Sequence, residues 1–233
     1  MKISISEAIQ KYGFEFLAIF IGVFAAFALE SWNENRKDDF TEIKILSEIH
    51  NGLNQDIKDI DVNMQGHRMG QQATSYFGRL ILNKKTSNDS LVLNYFVLFR
   101  GFISVQNISG YETLKSKGLE IIKNDSLRAE ILSLYENDYN SLRKLEESYS
   151  ELAFFKNYYH DFNQVLAPNF TLDENGKITG INKPLKLSES DKKILITNLW
   201  MMNANRKFML SGYTEVKEKI VKLQKRIDKE LKR

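Results

Sequence analysis

The chain contains no cysteine. That excludes disulfides, thiolate metal sites and cysteine nucleophiles together. It fits a compartment where stray thiols would be oxidised. Proline is almost as scarce: Pro168 and Pro184 are the only two, and both lie in the last third of the chain. A long proline-free stretch favours long helices over a sheet with many turns. Charge of one sign is lacking too. The 33 Lys and Arg nearly match the 30 Asp and Glu, leaving a net +3 over 233 residues. That excess is too weak to point to a nucleic-acid partner.

Histidine is limited to His50, His67 and His160, and none has a second ligand at metal-binding spacing. The neighbouring His160 and Asp161 could polarise one another, but a lone histidine near aromatics reads as structural. There is no phosphate-binding glycine loop, dinucleotide turn or nucleophile elbow. The carboxylates are interleaved with lysines along helix faces, which is the pattern of a solvated surface and not of an acid–base pair. The chain is therefore not read as an enzyme, and no catalytic, cofactor or metal residue is assigned.

What is present is an apolar run, Phe16 to Leu29, within the stretch FEFLAIFIGVFAAFALESWNENRK. It has no polar stripe, so as a helix it is apolar all round. Tyr12 and Trp32 bracket it as interfacial aromatics would bracket a bilayer. From one to the other a helix covers about 30 Å, the thickness of a hydrocarbon core. Glu15 and Glu30 fall near the two edges, and Arg36 and Lys37 follow on the far side. Lys2, Lys11 and the small-x-small triplet ending at Ala28 also allow a cleaved export signal. A buried core helix is the third alternative. Within a span, Glu15, Ala18, Gly22 and Ala26 share one face. Small residues four apart let helix backbones approach closely, and a carboxyl there is costly in hydrocarbon unless a partner helix pairs with it. Self-association, or packing on another membrane protein, is expected through that face.

Two blocks carry a resemblance. The first is Glu15, Gly22, then Trp32-Asn33-Glu34 and Arg36-Lys37. The second runs from Gly110 to Tyr139 and holds Tyr111, Leu114, Lys115, Ser116, Gly118, Asn124, Leu127, Arg128 and Tyr135. Together they resemble a family of small bacterial single-pass membrane proteins of unassigned activity, with an N-terminal motif of the type G-E-x6-G-x9-W-N-E-x-R/K. Phe14 separates Gly13 from Glu15 here, whereas the family has that pair adjacent. The resemblance implies a membrane-anchored helical protein and structural roles for Tyr111, Gly118, Asn124, Arg128 and Tyr135.

Beyond Trp32 the apolar periodicity of Leu46, Ile49, Leu53, Ile57, Ile60 and Met64 predicts that the helix continues out of the membrane. A second helix is expected over Gln65–Leu82, a turn over Asn83–Asp89, then a buried helix carrying LVLNYFVLF. Ser109 with Glu112 reads as a capping box for a short helix ended by Gly118. Asn124 or Asp125 caps the next helix, which is expected to reach Tyr159. Arg128, one turn on, is expected to tie helix ends together through carbonyls and Glu112 or Glu120. Asn175-Gly176 predicts a two-residue hairpin turn within a hairpin-like insertion at about 168–187. Asp173, Asn175 and Gly176 loosely resemble a calcium loop but lack the later acidic ligands. Helices resume at Ser188 or Ser190. The last is expected over about Asn205–Lys232, with Tyr213, Val216, Ile220, Leu223, Ile227 and Leu231 as a packed seam and Glu218–Lys222 and Asp228–Lys232 as surface pairs.

The expected architecture is all-α. A tail (1–11) and a transmembrane helix (12–32) lead into an elongated helical bundle (33–233) with one small hairpin. The expected protein is a bacterial inner-membrane, single-pass scaffold or interaction protein. Its N-terminus is cytoplasmic and its bundle periplasmic; its partners are the lipid bilayer and a second copy or another membrane protein, with no nucleic acid. The alternatives are a signal-transmitting subunit and an exported soluble bundle.

Overall fold

The computed structural model describes the backbone from Ile5 to Lys232 and side chains from Gly13 to Lys232. The side chains of Lys2, Lys11 and Tyr12 lie outside the described residues. The fold is all-α with one two-stranded sheet.

Helix α1 is a single element, Ile5–Ile81, of 77 residues, about 115 Å long. No break occurs near Gln65. The apolar stripe continues in register through Ala73, Phe77 and Leu80, so nothing physical separates a second helix there. The helix ends where Asn83 takes a left-handed φ of 56°. Lys84 N–H donates to Arg79 O and Asn83 N–H to Leu80 O, which satisfies the orphan carbonyls of the last turn.

Helix α7, Glu189–Leu231, is likewise unbroken over 43 residues. The expected start at Asn205 is therefore sixteen residues late, and the added length carries Leu195, Leu199 and Met202 into the core. Ser188 caps it in a full capping box with Asp191. α7 runs antiparallel to α1. Gln71 bonds Asn203, Lys217 pairs with Asp61, Gln224 bonds Asn54 and His50 pairs with Asp228. The seam from Tyr213 to Ile227 packs inside this pair. The expected pairing of Lys222 with Glu218 is replaced, because Lys222 reaches across to Glu130 of a neighbouring helix.

Among the described residues, five shorter α-helices complete the bundle. Leu91–Leu98 is α2, and only one side of it is buried: Val92, Leu93 and Phe96 are exposed. α3 is Ser109–Lys117. Ser109 does not cap it. Its hydroxyl donates to Asn107 Oδ1, and Glu112 pairs with Lys115. Gly118 ends α3 with φ 100°, a conformation reserved for glycine. α4, Asp125–Leu132, passes through a π-turn at Ser133–Asp138 into α5, Tyr139–Ser148. Here the expected helix stops short of Tyr159. Tyr149 turns extended, and α6, Phe154–Leu166, begins anew. Strands β1, Phe170–Leu172, and β2, Ile178–Ile181, pair antiparallel. Their turn is not the symmetric type expected. Only Gly176 has positive φ, and Asp173 Oδ1 accepts from the amides of Asn175 and Lys177.

The first residues of α1 to be buried are Ile45 and Leu46. Each such fully buried leucine or isoleucine contributes roughly 1.5–3 kcal/mol by leaving water. Below them α1 is bare, so the core sits well away from the apolar N-terminal stretch.

Candidate functional site

One helix among the described residues, α1, is long and apolar enough to cross a membrane, and its apolar window is 0 % buried. Phe14, Phe20 and Phe27 are 77 %, 57 % and 68 % exposed. The bundle therefore does not cover this segment, which removes the buried-core-helix alternative. Glu15, Ala18, Gly22 and Ala26 fall within one quadrant of the helix, and a Cβ added at Gly22 would meet nothing. Trp32 lies past the apolar run with the Arg36 guanidinium 5.3 Å from its ring centre. Lys37 O accepts from Thr41. Between Trp32 and Ile45 runs about 20 Å of bare helix. It is clasped at its upper end by Lys123, which pairs with Asp39 and donates its backbone N–H to Glu42 Oε1 at 2.9 Å.

The residues of the second sequence block converge above that clasp. Tyr111 stacks on Tyr135 with ring centres 4.5 Å apart and planes 5° from parallel. Asn124 caps α4 by accepting from Leu127 N–H, and its amide donates to Glu230 of α7. Arg128 donates to Ile122 O at 2.8 Å and pairs with Asp125 and Glu120, not Glu112. These contacts fix the joint between α3 and α4 against α1 and α7.

The most unusual chemistry was not singled out in the sequence. Arg206, in mid-α7, is 0 % exposed. Its Nη2 donates to the carbonyls of Leu98, Arg100 and Val97 at 2.9, 3.2 and 3.3 Å. It thus serves carbonyls at and just past the end of α2, of which Val97 O also accepts from Arg100 N–H. Its Cζ lies 4.2 Å from the centre of the Phe154 ring, a cation–π contact strengthened by the lack of water. Burial lowers the guanidinium to about 10, so it remains a cation at neutral pH. Beside it, His67 Nδ1 is 3.5 Å from Nη1. Burial, with Arg206 as a second cause, pushes His67 down to about 3, so the ring is neutral.

The segment after α2 is extended, without a partner strand among the described residues, and its amides need acceptors. Three carboxylates supply them. Ser104 N–H donates to Glu146 at 2.9 Å, Val105 N–H to Asp59 at 2.8 Å and Asn107 N–H to Asp56 at 2.7 Å. Tyr139 OH also donates to Asp56, and Tyr213 OH to Glu146. Burial raises both Asp56 and Glu146, against the lowering effect of these hydrogen bonds. Residues 97–107 are thus strapped down at both ends of their polarity, carbonyls to a cation and amides to carboxylates. Asp56, Asp59 and His67 all belong to α1, the helix that carries the apolar run.

These groups are spent on holding backbone. Arg206 and His67 have no surface through which a reactant could approach. Among the described residues no group of three or more His, Cys, Asp or Glu is placed to hold a metal ion. His160 and Asp161 are both exposed and share no hydrogen bond among the described residues. An apolar groove of about 520 Å³ opens between α2 and α6, lined by Tyr95, Phe96, Phe99, Phe155 and Tyr159.

The sequence offered one missed signal: Arg206 occupies a core position of the α7 periodicity, three residues before Met209 and four after Met202. Compared with protein-family models, curated proteins and solved structures, the chain matches none.

Proposed function

We propose that the chain is a single-pass, membrane-anchored interaction protein of the bacterial cell envelope. The observation that carries this reading is the apolar segment, bare on all sides, on the same continuous helix that forms the core of the bundle. In water such a surface costs about 25 cal/mol for each Å²; in lipid the cost disappears and the helix satisfies its own backbone. The anchor lies in the inner membrane. Basic residues flank both sides nearly equally, so orientation follows the basic N-terminal tail usual in the family that the chain resembles, with the N-terminus cytoplasmic and the bundle periplasmic. Two copies pair through Glu15, Ala18, Gly22 and Ala26.

A second reading is a signal-transmitting subunit. It is favoured by the apolar groove between α2 and α6, since α2 packs on α1 and the strap that follows it is held to α1 through Asp59. A ligand there would act on the helix that enters the membrane.

The test uses the cysteine-free background. Single cysteines at Gly22 and Phe24 stand on opposite faces of the helix, about 200° apart. Membranes are oxidised and resolved on a non-reducing gel. The proposal expects dimers with Gly22→Cys and few with Phe24→Cys. Recovery in the soluble fraction would remove the anchor; membrane-bound monomer in both variants would remove the pairing.

A further inference from the structure

A second groove, of about 960 Å³, lies at the far end of α1. Its floor is Arg68, Gln71, Ser75 and Arg79 of α1, and its rim is Lys85 and Asn94, from the loop before α2 and from α2 itself. Three cations line it, and no carboxylate does. The neighbouring acid, Asp89, accepts from Ser87 on the loop and is not part of the lining.

Elsewhere on the surface, Lys123, Arg128, Lys192, Lys217, Lys219 and Arg226 each pair with a carboxylate. Among the described residues, Arg68, Arg79 and Lys85 form no ion pair. Arg79 Nη2 donates to Lys85 O at 2.8 Å, which fixes the loop against the floor of the groove. A concave surface of one sign concentrates anions. The remaining lining is amide and hydroxyl: Gln71, Gln72, Ser75, Ser87, Ser90 and Asn94.

We propose that this groove binds an anionic saccharide, a chain of hydroxyl-bearing rings carrying carboxylates. Cations meet the carboxylates, and the amides and hydroxyls meet the ring hydroxyls. A base-stacking ligand fits less well, because the lining has one aromatic ring, Tyr76, and its hydroxyl is already bonded to Ser87 O. A lipid headgroup of the anchoring membrane is out of reach: Arg68 stands about 54 Å along α1 from Trp32. That last step alone rests on the anchored reading.

The test is calorimetric titration of the full chain in neutral detergent with trigalacturonate, maltotriose, tripolyphosphate and a single-stranded hexanucleotide. Trigalacturonate is expected to bind, at least tenfold more tightly than maltotriose, with affinity falling as salt rises. In the double variant Arg68→Gln, Lys85→Gln that affinity is expected to drop at least tenfold with an unchanged melting temperature. Arg79 is left alone because it holds the loop. No binding of trigalacturonate, or equal binding by the double variant, would overturn the proposal. Tighter binding of tripolyphosphate or of the hexanucleotide would also overturn it and assign the groove to phosphate. None of these outcomes bears on the anchor, which the crosslinking experiment reads separately.

Discussion

A Cβ added to Gly70 would lie 2.1 Å from the guanidinium carbon of Arg206. Glycine within a helix ordinarily costs about 1 kcal/mol relative to alanine, so Gly70→Ala would stabilise an isolated helix. Here the steric term wins, because α1 and α7 would have to part or Arg206 would have to leave the carbonyls it serves. The expected result is a loss of about 3 kcal/mol, seen as a lower melting temperature in detergent. Arg206→Met, which frees that space, is expected to make Gly70→Ala nearly harmless when the two are combined. Additive losses would mean that the two residues do not compete for one volume.

His67 makes stability depend on pH. Its folded value is lowered to about 3 from an ordinary 6.5. Its contribution is therefore fully present above 6.5 and is lost as pH falls from there toward 3. Asp56 and Glu146 are raised, so they act in the opposite sense: they penalise the fold as pH rises through their folded values. Comparing the native chain with His67→Gln isolates the histidine. Between pH 7.5 and 5.0 the native chain is expected to lose about 2 kcal/mol more than the variant. Urea denaturation at the two pH values measures this, and equal losses would place His67 in solvent.

The strap is expected to loosen one bond at a time. Asp59→Ala removes the acceptor of the Val105 amide while leaving those of Ser104 and Asn107. Hydrogen exchange at Val105 should quicken at least tenfold, with little change in α5 or α7. Uniform loosening of the bundle would instead make Asp59 a support for α1 as a whole.

Much of this molecule is local in origin and readable along the chain. The apolar run with Trp32 beyond it, the stripe from Leu46 to Met64, the Asn124 and Ser188 caps and the Gly118 stop each depend on residues within a turn or two. Local rules also misled at particular places. Gln65 and Asn205 were expected as boundaries, yet both helices run on, because packing of α1 on α7 along their shared length outweighs weak breakers. Tyr149 has nothing in its own residue type to end a helix; the break exists because α6 must turn back over α2.

The sequence by itself determined an all-helical chain, one segment too apolar for water and the absence of any cysteine chemistry. Only the tertiary structure decided what the buried charges do. Arg206 meets carbonyls more than a hundred positions away, and Asp56, Asp59 and Glu146 meet amides of a strap with no periodicity of its own. Such pairings are set by which backbone groups lose water when the bundle closes, and that is a property of the assembled layers and not of any one stretch.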